Sequence, residues 1–178
     1  LPRILGMSAT QVSLIVDTII ASTLTAGSIT IINFAANLES LPIGIVGVSV
    51  AIVSFGVLSS HAADQNMVEF KKEISTNLRK ILFLLIPLTF GMFSLRFQIV
   101  KIVFEKGAFT NADTFTTANT LGFFLIGLIF GGIMFLLARG FYALKNTKTP
   151  VKASLAAVAI NIIASILLTK VLKLETYG

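Results

Sequence analysis

Five stretches of roughly twenty residues each, apolar and almost free of charge, set the limits on what this chain can fold into. They cover residues 4–24, 31–58, 78–95, 117–138 and 151–172. A helix crossing the roughly 30 Å hydrocarbon core of a bilayer needs about 20 such residues. Only 12% of the residues are charged and 55% are hydrophobic, whereas soluble domains carry about 25% charged residues. A water-soluble fold of this size lacks the polar surface to cover so much apolar side chain. The runs are continuous rather than alternating, which favours helices over a transmembrane barrel. The expected fold class is all-α integral membrane, with about five transmembrane helices forming one bundle over 1–178.

The loops fix an expected orientation. Arg3, Lys71, Lys72, Arg79, Lys80, Arg139, Lys145, Lys148 and Lys152 fall on one side of this arrangement. Arg96, Lys101, Lys106, Lys170 and Lys173 fall on the other. Nine basic residues against five place the first set in the cytoplasm. The formal charge of +6 therefore reads as topology and contact with anionic membrane lipids, not as a nucleic-acid footprint. The chain opens Leu1-Pro2-Arg3 without a methionine or a signal-peptide layout, and it is read as a piece of a longer protein.

Several local features refine the spans. Pro42 and Pro87 each remove a helix hydrogen bond, so both are expected to kink their helices. Residues 67–80 suit an amphipathic cytoplasmic helix with Val68, Ile74 and Leu78 toward the membrane; a solvated linker leading into the third span fits equally. Residues 97–109 suggest a short interfacial helix closed by a turn at Gly107. Gly44 and Gly47 in the second span, and Gly127 with Gly131 in the fourth, suit close helix approach.

Polar groups in hydrocarbon are costly, so their placement is informative. Asp17 sits mid-span, and helical spacing lines it up with Thr10, Ser13 and Ala21. Ser154, Ala157, Asn161, Ser165 and Thr169 form a similar stripe in the fifth span. Asp17, Asn161 and Ser165 offer carboxylate, amide and hydroxyl oxygens, hard donors that suit a small cation such as sodium. A structural role, with Asp17 protonated or hydrogen-bonded to a neighbouring helix, stays open. Asn33, Asn37, Ser40 and Gly44 share a face of the second span, with Glu39 beside it. That face either lines a water-filled substrate cavity or is the headgroup-level end of a long helix.

Catalytic chemistry is not expected. There is no cysteine and a single histidine, His61, so neither a zinc site nor a Cys/His nucleophile pair can be built from ordinary ligands. No nucleophile elbow, phosphate loop, zinc-protease signature or aspartate-rich diphosphate cluster occurs.

Four segments carry a family resemblance: LPRILGMSATQVSLIVDTIIAS at 1–22, LPIGIVGVSVA at 41–51, FEKGAFT at 104–110 and GFYALKNTKTPVK at 140–152. In order and spacing along the whole chain they resemble the MurJ (MviN) lipid II flippases of the MOP exporter superfamily. The resemblance implies a two-lobed protein of about fourteen helices, with this chain corresponding to the seventh to eleventh. It implies the bacterial cytoplasmic (inner) membrane as location. The partners it implies are a lipid-linked peptidoglycan precursor and a first lobe beyond this stretch. It also places a sodium-site acid on Asp17 and an Asn ligand on Asn161. Where some members carry an acid one turn later, this chain has Ser165, and ligands from the twelfth helix lie beyond it. Where many members carry a cavity arginine five residues before the eighth-helix proline, this chain has Asn37. Arginine offers a diphosphate a charged fork of donors; Asn37 offers neither.

The expected function is thus part of a flippase that moves lipid II by alternating access, with no enzyme activity and no cofactor beyond a possible sodium ion. Alternatives are another MOP-type exporter, of lipid-linked O-antigen units or drugs, or a non-transporting membrane scaffold.

Overall fold

The computed structural model describes residues 27–166, with side chains to Asn161 and at Ile163. Every regular element among them is helical. Helix α1 (Ser28–Pro42) runs into a π-helical segment (Ile43–Val48) and then into α2 (Ser49–Ala63). After a short turn come α3 (Met67–Phe104), α4 (Asn111–Ala143) and α5 (Lys148–Ile166). The first expected span, with Asp17, lies outside the described residues. Residues Ile31–Lys145 form one compact unit, and the described residues on either side of it belong to a second.

Three of the described helices are long and apolar enough to cross a membrane: Ser28–Ala63, Met67–Phe104 and Asn111–Ala143. The first is continuous through Pro42, and the proline explains its change of type. Pro42 has no N–H, so the carbonyl of Leu38 loses its usual donor four residues on. The next amide in line, that of Ile43, is five residues on, which is π spacing. The extra residue also moves the buried stripe. Ala35, Leu38 and Pro42 face inward before it, and Ala51, Ser54 and Leu58 after it. An unbroken seven-residue register would instead have buried positions 45, 49 and 52, yet Ile45 is 72% and Ile52 55% exposed. The π segment keeps both halves turned toward the same neighbours.

Helix α3 decides between the two readings of residues 67–80, in favour of a helix leading into the third span, and corrects the expectation for 97–109. It is one helix of 38 residues, about 57 Å at 1.5 Å per residue, longer than a bilayer of about 40–45 Å with its headgroups. Residues 67–80 are its first turns rather than a separate helix lying on the membrane. Of the side chains expected to face the membrane, Ile74 and Leu78 pack against the core beside the buried Phe70 and face their own bundle, whereas Val68 is exposed. At the other end α3 continues to Phe104, and 97–109 is not a separate interfacial helix. The turn follows with Gly107 at φ 62°, a conformation that favours glycine. Pro87 lies within α3 without any change of helix type; unlike Pro42, it is exposed, so no inward face has to be realigned there.

Helix α4 is the centre of the unit. A buried stripe of Thr114, Ala118, Leu121, Leu125, Leu128, Gly132, Leu136, Gly140 and Ala143 recurs every three or four residues, the spacing of a packed helix seam, and Thr117, Thr120 and Gly122 widen it in the first half. α4 packs against α3, α2 and the π segment. Phe83, Phe90, Phe123, Ile126 and Phe130 point outward, as lipid-facing side chains do. Asn66 caps α3 by accepting from the Glu69 amide at 3.2 Å. Thr110 and Asp113 form a reciprocal capping box at the start of α4. Phe34 stacks on Phe104 at 4.3 Å between ring centroids and lies 5.7 Å from Phe109, tying the start of α1 to the α3–α4 turn.

The basic-residue count predicts which side each end faces. Ser75 and Asn111 are both exposed, at opposite ends of the unit. A cysteine at position 75 should resist a membrane-impermeant thiol reagent in intact cells, and one at position 111 should react. Labelling in the opposite pattern would reverse the orientation.

Candidate functional site

The polar residues of α1 separate into two groups. Asn33, Asn37, Ser40 and Gly44 are all exposed along one face. Alternate positions Ala35, Leu38 and Pro42 are buried in the unit. The Ser40 hydroxyl donates to the Asn37 carbonyl at 2.8 Å. The side-chain amides of Asn33 and Asn37 project away from the packed core. Glu39 differs: it is half-buried and turned toward α4, with its Oε1 3.9 Å from the point where a Cβ on Gly127 would lie. That is an ordinary contact distance, so the carboxylate lies beside α4 at Gly127 without requiring a glycine there. Two arginines sit elsewhere. Arg96 donates to the Phe93 carbonyl at 2.9 Å and lies over the Phe93 and Phe97 rings. Arg139 lies 5.7 Å from the Phe55 ring centroid. Both cations are packed against aromatic rings near the two ends of the bundle.

The helices carrying this face are locked by glycine. A Cβ on Gly47 would come within 2.7 Å of the Gly132 Cα and 3.1 Å of its carbonyl oxygen. A Cβ on Gly131 would meet the Ile43 Cδ1 at 2.8 Å, and one on Gly132 would collide with the Leu85 Cδ1. The π segment, α3 and α4 thus converge at Gly132. Two expectations change here. Gly44 has nothing within 4 Å of its missing Cβ and belongs to the exposed face. The close contact on α4 comes from Gly131 and Gly132, not from Gly127. Gly132 adjoins Gly131 in sequence, but helical spacing alone does not say which of the two meets the neighbour.

Three threonines near the start of α4 are buried: Thr114, Thr117 and Thr120. The Thr114 hydroxyl donates to the Glu105 carboxylate at 2.7 Å, and that of Thr120 to the Thr116 carbonyl at 2.9 Å. The Thr117 hydroxyl has no partner. No pattern in the sequence picks these three residues out.

Of the residues expected to bind a cation, Asn161 lies exposed on α5 and makes a polar or packing interaction of its own. Ser165 falls in the last turn of α5, with its side chain outside the described set. Asp17 lies outside the described residues. Among the described residues no cluster of three or more His, Cys, Asp or Glu side chains could hold a metal ion.

Three helices long and apolar enough to cross a membrane, a glycine-locked contact and a polar face turned away from the packed core define a multi-pass helical membrane protein. The lipid II flippase MurJ family matches residues 1–177, and the chain belongs to that family. A probable lipid II flippase MurJ of Buchnera aphidicola subsp. Acyrthosiphon pisum is 38% identical over 160 residues, covering 90% of this chain and 31% of that protein. One from Thermotoga maritima is 35% identical over 162 residues, covering 91% and 33%. Among solved structures, a lipid II flippase MurJ in an inward closed conformation superposes with a TM-score of 0.86 at 34% identity, covering 97% of this chain and 36% of that one. The chain thus spans about a third of the length of the curated relatives it matches. Its relatives are multi-pass proteins of the bacterial inner membrane, and the long apolar helices of this chain fit that location.

Proposed function

We propose that this chain forms part of a flippase that carries lipid II across the bacterial inner membrane by alternating access, with the Asn33–Asn37–Ser40 face of α1 as part of the substrate cavity wall. The observation that carries this reading is the exposure of three polar side chains on one face of a helix that must cross hydrocarbon. Facing lipid they would be costly; facing a wet cavity shared with the rest of the protein they are solvated. The glycine lock at Gly47 and Gly132 suits a lobe that moves as a rigid body, since close backbone contact resists internal shear.

In this reading a cation is cargo that couples to transport, and Asp17, Asn161 and Ser165 are its ligands. Their oxygens match the donor preference of sodium. No step of catalysis is involved, and the protein acts as a transporter rather than an enzyme.

Charge on the α1 face tests the cavity role. Lipid II carries a diphosphate, and like charges 4 Å apart repel by about 1 kcal/mol per charge pair even in water. Asn37→Glu in the full-length protein should therefore slow flipping by at least roughly tenfold in a reconstituted assay, while Asn37→Gln stays near wild type. Because residue 37 is exposed, neither change should alter thermal stability. Equal flipping by the glutamate variant would remove the α1 face from the substrate path. The reading as a whole is tested by whether the full-length protein restores growth to a cell depleted of its own lipid II flippase.

A further inference from the structure

The first turns of α3 and the last turns of α4 enclose a groove that the flippase reading does not use. Phe70, Ile74, Leu137, Phe141 and Leu144 wall it, Gly140 forms its floor, and its volume is about 210 Å³. Gly140 is what keeps it open at the base: a Cβ there would stand 3.0 Å from the Ile74 Cδ1. The lining is apolar apart from Lys71 at the rim.

Its depth says what can fill it. Phe70 and Ile74 stand eight and four residues before Leu78, where the apolar span of α3 begins, so about 12 and 6 Å beyond it. Leu137 lies at the end of the apolar span of α4. By that spacing the Leu137–Ile74 end of the groove lies at the boundary between hydrocarbon and headgroups, and the Phe70 end lies at the outer edge of the headgroup layer. An apolar recess at that level needs an apolar occupant, and lipid tails are the apolar material present there.

The charge at the rim selects the headgroup. Lys72 is held by Glu69 at 3.2 Å, and Lys80 donates to Asn77 at 3.2 Å. Glu73 is occupied by the Asn77 side chain, which donates to its Oε1 at 2.6 Å. Lys71 alone of these four charged neighbours has no hydrogen bond or ion pair among the described residues. Arg79 and Lys145 add exposed positive charge at the same end. A lysine at the rim of an apolar slot at headgroup level matches a phosphate above an acyl chain.

We propose that this groove is a binding site for one anionic phospholipid, with the upper part of an acyl chain between Ile74 and Leu137 and the phosphate on Lys71. The site stands independently of the flippase reading, because it rests on the packing of α3 against α4 and not on the α1 face.

The test uses the full-length protein, extracted in mild detergent with equimolar palmitoyl-oleoyl phosphatidylglycerol and phosphatidylcholine, and counts retained lipid by native mass spectrometry. Wild type should retain phosphatidylglycerol over phosphatidylcholine several-fold. Lys71→Gln should lose that preference, and Lys72→Gln should keep it because its charge is already paired. Leu137→Trp should fill the slot and lower retention of both lipids, with an unchanged unfolding temperature showing that the variant is folded. Should Leu137→Trp unfold, Phe141→Ala serves instead, since it widens the slot and should also lower retention. Unchanged preference in Lys71→Gln overturns the proposal, as does equal retention of the two lipids by wild type. Displacement of phosphatidylglycerol by micromolar undecaprenyl phosphate also overturns it, because the groove would then belong to the polyprenyl substrate.

Discussion

Gly47→Ala is expected to be the most damaging single-methyl change in the unit Ile31–Lys145. The added carbon would sit 2.7 Å from the Gly132 Cα, and the obstacle is backbone, which cannot rotate away. Inserting a methyl into a packed contact costs about 1–3 kcal/mol, and this geometry belongs at the upper end. The π segment and α4 would have to separate, which also loosens Ile43 on Gly131 and Leu85 on Gly132. Gly131→Ala should cost less, because its obstacle is the far end of the Ile43 side chain at 2.8 Å. Gly44→Ala and Gly56→Ala meet nothing within 4 Å and should leave stability unchanged or slightly raised, since alanine is the better helix former. Thermal unfolding of the full-length protein in detergent, followed by size exclusion, ranks the four. If Gly47→Ala and Gly44→Ala unfold together, the glycine lock does not hold the unit.

That ranking also marks where sequence reading reaches its limit. The crossing helices are legible because charge is excluded from hydrocarbon, and a run such as 117–138 has few other ways to be stable. Helix ends are less legible, because beyond the bilayer the same residues are governed by packing. Residues 67–80 look amphipathic by spacing, but whether Ile74 meets lipid or Gly140 depends on where α4 passes, which no local pattern records. Pro42 and Pro87 look equivalent in sequence. They differ because Pro42 is buried and its helix must keep facing α4 through the break, whereas Pro87 is exposed and its helix need not realign. Glu39 was visible as a charge in a span. That it turns to Gly127 while Asn37 and Ser40 turn outward follows from the direction of α4.

The π segment and the polar face bear on each other. Without the extra residue, α1 and α2 could not both bury their stripes, and either Ala35 and Leu38 or Ala51 and Leu58 would turn outward. Burying both halves fixes the opposite face, so Asn33, Asn37, Ser40 and Gly44 are held on the side away from α4. The irregular turn thus sets which residues line the proposed cavity, although Gly47 and Ile43 are the only members of the segment in the glycine lock.

Asp17→Asn is expected to give the largest functional effect. The residue lies in the middle of an apolar run of about twenty residues, where an ionised carboxylate facing lipid is costly. It therefore needs a bound cation, a proton or a hydrogen-bonding neighbour. Of the three proposed ligands Asp17 carries the negative charge, with Asn161 and Ser165 adding neutral oxygens, so the asparagine variant keeps the shape while removing the charge that draws a cation in. Transport by the full-length variant, measured in vesicles across a sodium gradient and without one, should lose its response to sodium while the protein still inserts and unfolds at the wild-type temperature. Asn161→Ala should weaken the response without removing it, since an amide oxygen is one neutral ligand among several at roughly 2.3–2.6 Å. If Asp17→Asn keeps a full sodium response, the carboxylate only holds helices together. That structural role makes a different mark: a lower unfolding temperature that is independent of sodium, and partial recovery in Asp17→Glu by a regained hydrogen bond.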